Sequence, residues 1–331
     1  MDTSGAVGTV YCAISGFGVF LNIASIISIV EHGKLKQANI NIFFFLELCE
    51  LQSSMYILYM QPLITDILFE LIHFFYIAPC IIIQGNIFGI TPISGMIAKL
   101  LDTAQTYCWY NNSLSQVSLA VNRFVVTVLL RLHFFTPFRA VLISVSQHIL
   151  ALTIAVTIQY ILPCCGIQLV YSNYSYNEVK SYGLPNYAWA YIKLPFKIGC
   201  SVVPFLIYAI ILLSWRSIAN KLKLQSAELN KRRKQELRFT IQFASIAVLY
   251  TLSWGMFSIL PALNLTINVG WIQGQVVIVN PNVLTNDLRF AVVLNLLNST
   301  TNAVLYLLND RRKLCNFCLS SSYFGSSSYG S

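Results

Sequence analysis

Apolar runs about twenty residues long, repeated from one end of the chain to the other, restrict this sequence more than any other feature. A helix that crosses a bilayer needs roughly 20 mostly apolar residues, and blocks of that kind lie near 7–30, 40–61, 66–90, 100–130, 141–165, 196–215, 239–262 and 285–308. Charged residues make up 10% of the 331, against about 25% in a soluble domain. The linkers between blocks leave no room for a separate soluble domain, so the fold class is an all-α membrane protein, one helical bundle over 1–318. Residues 319–331 are rich in Ser and Gly, a composition that predicts a disordered tail.

The net charge of +9 has a plainer explanation than nucleic acid, which is excluded as a partner. Lys and Arg gather on the cytoplasmic side of membrane proteins. Sixteen of the 21 basic residues fall in 31–39, at Arg123, around 131–139, in 216–238 and after the last block. These groups share one side if the chain starts outside and crosses seven times, ending inside. The spans are then 7–30, 40–61, 100–130, 141–165, 196–215, 239–262 and 285–308. Block 66–90, with Asp66, Glu70 and His73, goes to the outer side as an extended end of helix two plus a re-entrant or surface helix; an eighth span is the alternative. The start "MDTSGAVG" lacks a basic n-region, so the first span is expected to act as the insertion signal. The nine cysteines scatter without His clusters, and no metal or other cofactor is expected. A disulfide is possible among Cys80, Cys164, Cys165 and Cys200, near the outer face.

Polar side chains within spans should face the bundle interior, so their spacing carries information. Tyr107, Asn111, Ser115, Ser118 and Asn122 recur at steps of four, four, three and four, one helical face. Asn295, Asn298, Asn302 and Tyr306 form a second stripe, Glu47, Glu50 and Ser54 a third, and Ser15, Asn22 and Ser25 a fourth. Such residues can simply join helices, at about 0.6 kcal/mol each. Carboxylates in a span more often mark an ion or proton site. Pro163, Pro204 and Pro261 each remove a backbone hydrogen bond and allow kinks that widen a cavity on the outer side. A ligand receptor needs such a cavity, and so does a transporter.

The polar run 216–238 extends helices five and six beyond the membrane, where its bases can bind anionic lipid headgroups or dock a cytosolic partner. Cys315 and Cys318, just past the last span, are candidates for palmitoylation or remain free thiols. Sequons at Asn173 and Asn264 fall in outer loops and are expected to carry glycans, whereas those at Asn111 and Asn298 fall inside spans.

Several motifs together resemble the rhodopsin-like G protein-coupled receptors. Asn122-Arg123-Phe124 is similar to their Asp-Arg-Tyr motif at the inner end of helix three, and Asn302-Ala303-Val304-Leu305-Tyr306 to their Asn-Pro-x-x-Tyr motif. Asn22 and Glu50 resemble the helix-one Asn and the helix-two acid. More narrowly, "NRF" with "KRRKQELRFTIQ" at 231–242 resembles the nematode serpentine chemoreceptors, most nearly class X. The departures are Ala303 in place of the helix-seven proline, Trp254 and Pro261 set too far apart, Leu130 and His133 after the Asn-Arg-Phe, and no cysteine near Ala98.

The resemblance implies a chemosensory receptor in the plasma membrane, at the sensory cilium of neurons. It would bind a small extracellular molecule and activate a heterotrimeric G protein through Asn122, Arg123, Phe124, Asn302, Tyr306 and the bases Lys231, Arg232 and Arg233. Asn22, Glu50, Asn295, Asn298 and Asn302 would form a polar core that repacks between two states. Tyr107, Tyr110, Asn111, Trp254 and Phe257 are the expected ligand contacts. The main rival is a secondary transporter with Glu47 and Glu50 as its ion or proton site, although no internal repeat supports it. A channel is a weaker third reading, and no nucleophile–base spacing suggests an enzyme.

Overall fold

The computed structural model describes residues 3–31, 46–129, 134–162, 166–171, 175–178, 187–221, 240–252, 293 and 296–304. The expected sites Lys231, Arg232, Arg233, Asn173, Asn264, Trp254, Phe257, Asn295, Tyr306, Cys315 and Cys318, with the tail 319–331, lie outside the described residues.

Helix α1, Thr3–Glu31, shows how the bundle is built. Tyr11, Ser15, Gly18, Asn22, Ser25 and Ile29 recur at alternating steps of four and three and are buried, while Phe17, Phe20, Ile23 and Ile27 are exposed. A helix with polar and small residues inward and large apolar ones outward is turned inside out relative to a soluble one, as lipid requires.

Helix α2, Leu46–Ile72, continues through a π-helical turn, His73–Ile77, into α3, Ala78–Ile83. Blocks 40–61 and 66–90 are therefore parts of one rod. Among the described residues its membrane-length apolar stretch is Ser54–Ile83, and 66–83 continues helix two without a break. The reason is one of facing. Asp66, Glu70 and His73 stand four and three residues apart and are all buried, so the charges lie against other helices and do not interrupt the lipid-facing surface. Glu47 and Glu50 fall on the first turns of α2, ahead of that stretch; their side chains lie outside the described set. The rod ends at Gln84, in the left-handed region at φ 51°.

Helix α4, Pro92–Thr127, is 36 residues long, about 54 Å at 1.5 Å per residue, and is the axis of the bundle, packing on α2, α5 and α6. Thr91 caps it by accepting from the Ser94 N–H at 3.2 Å, with Pro92 at the first helical position. Helix α5, Pro137–Val156, begins the same way, Thr136 accepting from Arg139 N–H at 3.3 Å. Ala140, Gln147, Ala151 and Ala155 form its buried face, small enough to let it lie close against α4. Beyond α5 a short antiparallel hairpin, β1 (Ile167–Val170) and β2 (Ser175–Glu178), pairs Ile167 with Glu178 and Val170 with Ser175. A π-helical run, Ala188–Lys193, leads into α6, Leu194–Lys221, which contains Pro204. Helix α7, Thr240–Leu252, and α8 over 296–304 bring the α-helical segments among the described residues to seven, counting α2 with α3.

Apolar residues pack in one cluster around Ile29, Met55, Leu63, Leu119, Ile211 and Phe243, and in another around Tyr11, Ile72, Ile81, Cys108 and Leu169. Between them lies a layer of polar side chains. Cys80 and Cys200 are buried and unbridged.

Candidate functional site

The polar layer is organised by two buried acids one turn apart on α2. The Glu70 carboxylate accepts from Asn22 Nδ2 of α1 at 3.1 Å, and from Ser299 Oγ at 2.9 Å and Thr300 Oγ1 at 3.4 Å of α8. Asp66 accepts from Asn112 Nδ2 of α4 at 2.6 Å and from Asn302 Nδ2 of α8 at 3.0 Å. Tyr59 donates to the Asn302 carbonyl at 2.9 Å, and Ser25 to the Ala303 carbonyl at 3.3 Å. Four helices are thus fastened through groups that would be costly to leave unmade in lipid.

Helix α1 reaches Glu70 only because position 18 is glycine. A Cβ at Gly18 would overlap the Glu70 carboxylate, which its three donors hold in place. Gly18→Ala is expected to destabilise the protein by about 1–3 kcal/mol, read as a lower melting temperature of the full chain in detergent. Gly5→Ala, where a Cβ meets nothing within 4 Å, is the matched control.

Beside Asp66 is a small cavity of about 20 Å³, lined by residues that include Asn112, Gln116, Asn298 and Asn302. Asn112 Oδ1, Gln116 Oε1, Asn298 Oδ1 and Asn302 Oδ1 accept no hydrogen bond. The space suffices for one water, whose two O–H groups can serve two of these oxygens. The sequence pattern brought Asn22, Asn298 and Asn302 to this layer but not Asp66, Glu70 or Asn112. The signal that could have found the two acids was their own helical spacing, hidden once the run was cut at residue 61.

Toward the end of α4 at Thr127, Asn122 and Arg123 are each 2% exposed and Phe124 is half-buried. Arg123 Nη2 donates to Met55 Sδ of α2, and the guanidinium lies 5.2 Å from the Phe243 ring centroid on α7. Tyr208 of α6 is within its electrostatic reach. Helices α2, α4, α6 and α7 therefore meet at one cation.

The expected ligand contacts are spread out. Asn111 is fully buried, accepting from Gln61 Nε2 at 3.0 Å and donating to Thr65 Oγ1 at 2.6 Å, a closed joint between α2 and α4. Tyr107 shares a 2.6 Å hydrogen bond with His148 of α5. Tyr110 is buried edge-on to Phe196 of α6, centroids 4.8 Å apart. The structure joins Tyr107 and Tyr110 in one cluster with Ile158 and Ala188.

No curated protein matches the chain. The family model described as serpentine type 7TM GPCR chemoreceptor Srx matches residues 13–279, and this range takes in α1 from Ala13 onward, the polar layer on α2 and α4, and the Arg123 contacts. The chain is a seven-transmembrane helical membrane protein and belongs to the Srx family of serpentine chemoreceptors.

Proposed function

We propose that this chemoreceptor is a two-state switch in the plasma membrane of sensory cilia, in which a small extracellular molecule bound at the outer half frees Arg123 for a heterotrimeric G protein. The observation that carries the reading is the burial of Arg123 between Met55 and the Phe243 ring. A cation enclosed by an α7 aromatic and an α2 thioether is released when α7 moves away, and a ligand that prefers the moved state supplies the bias. Asn302 ties α8 to Asp66 one layer further in, so the same movement would repack the polar layer. The basic run with Lys231, Arg232 and Arg233 would face the cytosol beside Arg123 and meet the G protein or anionic lipid.

The contact with Phe243 makes the reading testable without a known ligand. A guanidinium over an aromatic ring contributes about 0.5–2 kcal/mol. Phe243→Ala is therefore expected to shift the equilibrium toward the freed state and raise basal nucleotide exchange about 2- to 30-fold. The assay is guanine-nucleotide exchange in membranes holding the full receptor and each class of Gα in turn. Unchanged exchange with every class would overturn the proposal. Orientation is checked separately: with the N terminus outside, Asn173→Gln and Asn264→Gln should each remove one glycan's mass, and full-mass protein in both variants would put those loops inside.

A further inference from the structure

One feature of the described chain that the switch does not use is a cavity of about 460 Å³ where the π turn before α3, the first turns of α4, the π-helical turn Thr157–Ile161 that follows α5 and the β hairpin converge. Its size is within the range of small-ligand sites. The hairpin is held over it from two sides. The Gln159 side chain brackets Ile167, accepting from its N–H at 2.7 Å and donating to its carbonyl at 3.0 Å, and Gln84 Nε2 donates to the Tyr171 carbonyl at 3.3 Å. Tyr76, Tyr160 and Tyr171 supply aromatic wall. Burial, then the neighbouring Cys80 and Asp102, push the Tyr171 phenol above its usual range, so it stays neutral.

Asp102 is the odd member of that wall. It is 4% exposed. The backbone N–H of Leu169 and the hydroxyls of Tyr76 and Tyr176 face its carboxylate, yet its Oδ1 accepts no hydrogen bond. Leaving a carboxylate oxygen buried and unsatisfied is costly, and a ligand that donates to it recovers the cost. Lys99 does not fill the role. It is exposed at the rim, with its Nζ 4.4 Å from the ring centroid of Tyr160.

We infer that this cavity beneath the hairpin is a binding site for a small organic amine, its ammonium directed at Asp102 Oδ1 and its apolar body against the tyrosine walls. A protonated amine brings both the missing donor and the opposite charge, and an aromatic or short alkyl body suits rings that attract cations at their faces. The inference rests on the receptor reading above but moves the ligand away from Tyr107 and Tyr110 to the outer ends of α3, α4 and α5.

Binding is measured on the purified full-length receptor by thermal shift, with phenethylamine, phenylalanine and 2-phenylethanol at matched millimolar concentrations. Phenethylamine is expected to raise the melting temperature by roughly 2 °C or more and the alcohol not to. Asp102→Asn keeps an acceptor toward Leu169 and should reduce the apparent affinity for the amine at least about tenfold. Gly95 borders the cavity, and a Cβ there meets nothing within 4 Å. Gly95→Phe should therefore block the amine shift without lowering the melting temperature of the free protein, which keeps the test decisive if Asp102→Asn folds poorly. Lys99→Ala should leave the amine shift unchanged. Equal shifts by amine and alcohol, a larger shift by phenylalanine that is lost in Lys99→Ala, no shift by any of the three, or an amine shift that survives both Asp102→Asn and Gly95→Phe would each overturn the site. The readout does not involve a G protein. Amine binding without exchange on any Gα would count against the proposed coupling alone, and exchange driven by a different compound without amine binding would count against this site alone.

Discussion

Arg123→Ala is expected to abolish nucleotide exchange while leaving the receptor folded and at the cell surface. The two effects separate for a physical reason. Removing a buried cation also removes the desolvation that burying it cost, so the fold loses packing against Met55 and Phe243 but sheds an expensive group. The exchange reaction loses the group the G protein would contact. The sharpest version of the experiment uses Phe243→Ala as background, where basal exchange is expected to be high. Adding Arg123→Ala should return exchange to the level of membranes without receptor, with surface biotinylation unchanged. Arg123→Lys, which keeps the charge but not the planar fork, should fall between. Exchange that stays high in the double variant would remove Arg123 from the coupling role.

Asp66→Leu is expected to be the most destabilising single change in the polar layer. It leaves Asn112 Nδ2 and Asn302 Nδ2 buried without an acceptor, at about 1–3 kcal/mol each. A loss of roughly 2–5 kcal/mol follows, read as a drop in melting temperature and in surface level. Asp66→Asn should behave quite differently. Asn112 Oδ1 and Asn302 Oδ1 accept nothing in the present arrangement, so a flipped side-chain amide can accept a donor from the new asparagine, and the cost should stay within about 1 kcal/mol. Glu70→Gln is covered by the same logic through Asn22 Oδ1, which also accepts nothing. A small loss for Asp66→Leu, or a large one for Asp66→Asn, would show that the layer is held by packing and not by these hydrogen bonds.

Much of this architecture was legible in the residues because lipid imposes a simple rule. Polar groups must turn inward, so helical spacing alone identifies the buried faces. Ser15, Asn22 and Ser25 on α1, and Asn111, Ser115 and Asn122 on α4, are buried. On α2 the expectation turns on a different rule. The side preference of Lys and Arg asks for seven crossings and so assigns block 66–90 to the outer side, an assignment that sets the count of crossings but not where helix two stops, and the helix continues from Leu46 to Ile83. Glu50, which resembles the helix-two acid, has its side chain outside the described set; the described acids that fasten α1, α4 and α8 are Asp66 and Glu70. The hairpin escaped for a different reason. Each strand is four residues long, too short for alternation to rise above its neighbours, and the side chains that hold it in place, Gln84 and Gln159, come from elsewhere in the sequence.

The π-helical turn His73–Ile77 follows Glu70, which fastens the polar layer, and holds Tyr76, which lines the cavity under the hairpin. A π turn holds one residue more than the α-helix around it would use. Deleting one residue ahead of Tyr76 would turn everything beyond it by about 100° and draw it in by about 1.5 Å, swinging Tyr76 out of the cavity under the hairpin without moving Asp66 or Glu70. A single codon gained or lost there is therefore a mutational step that redraws the wall of that cavity and spares the polar layer.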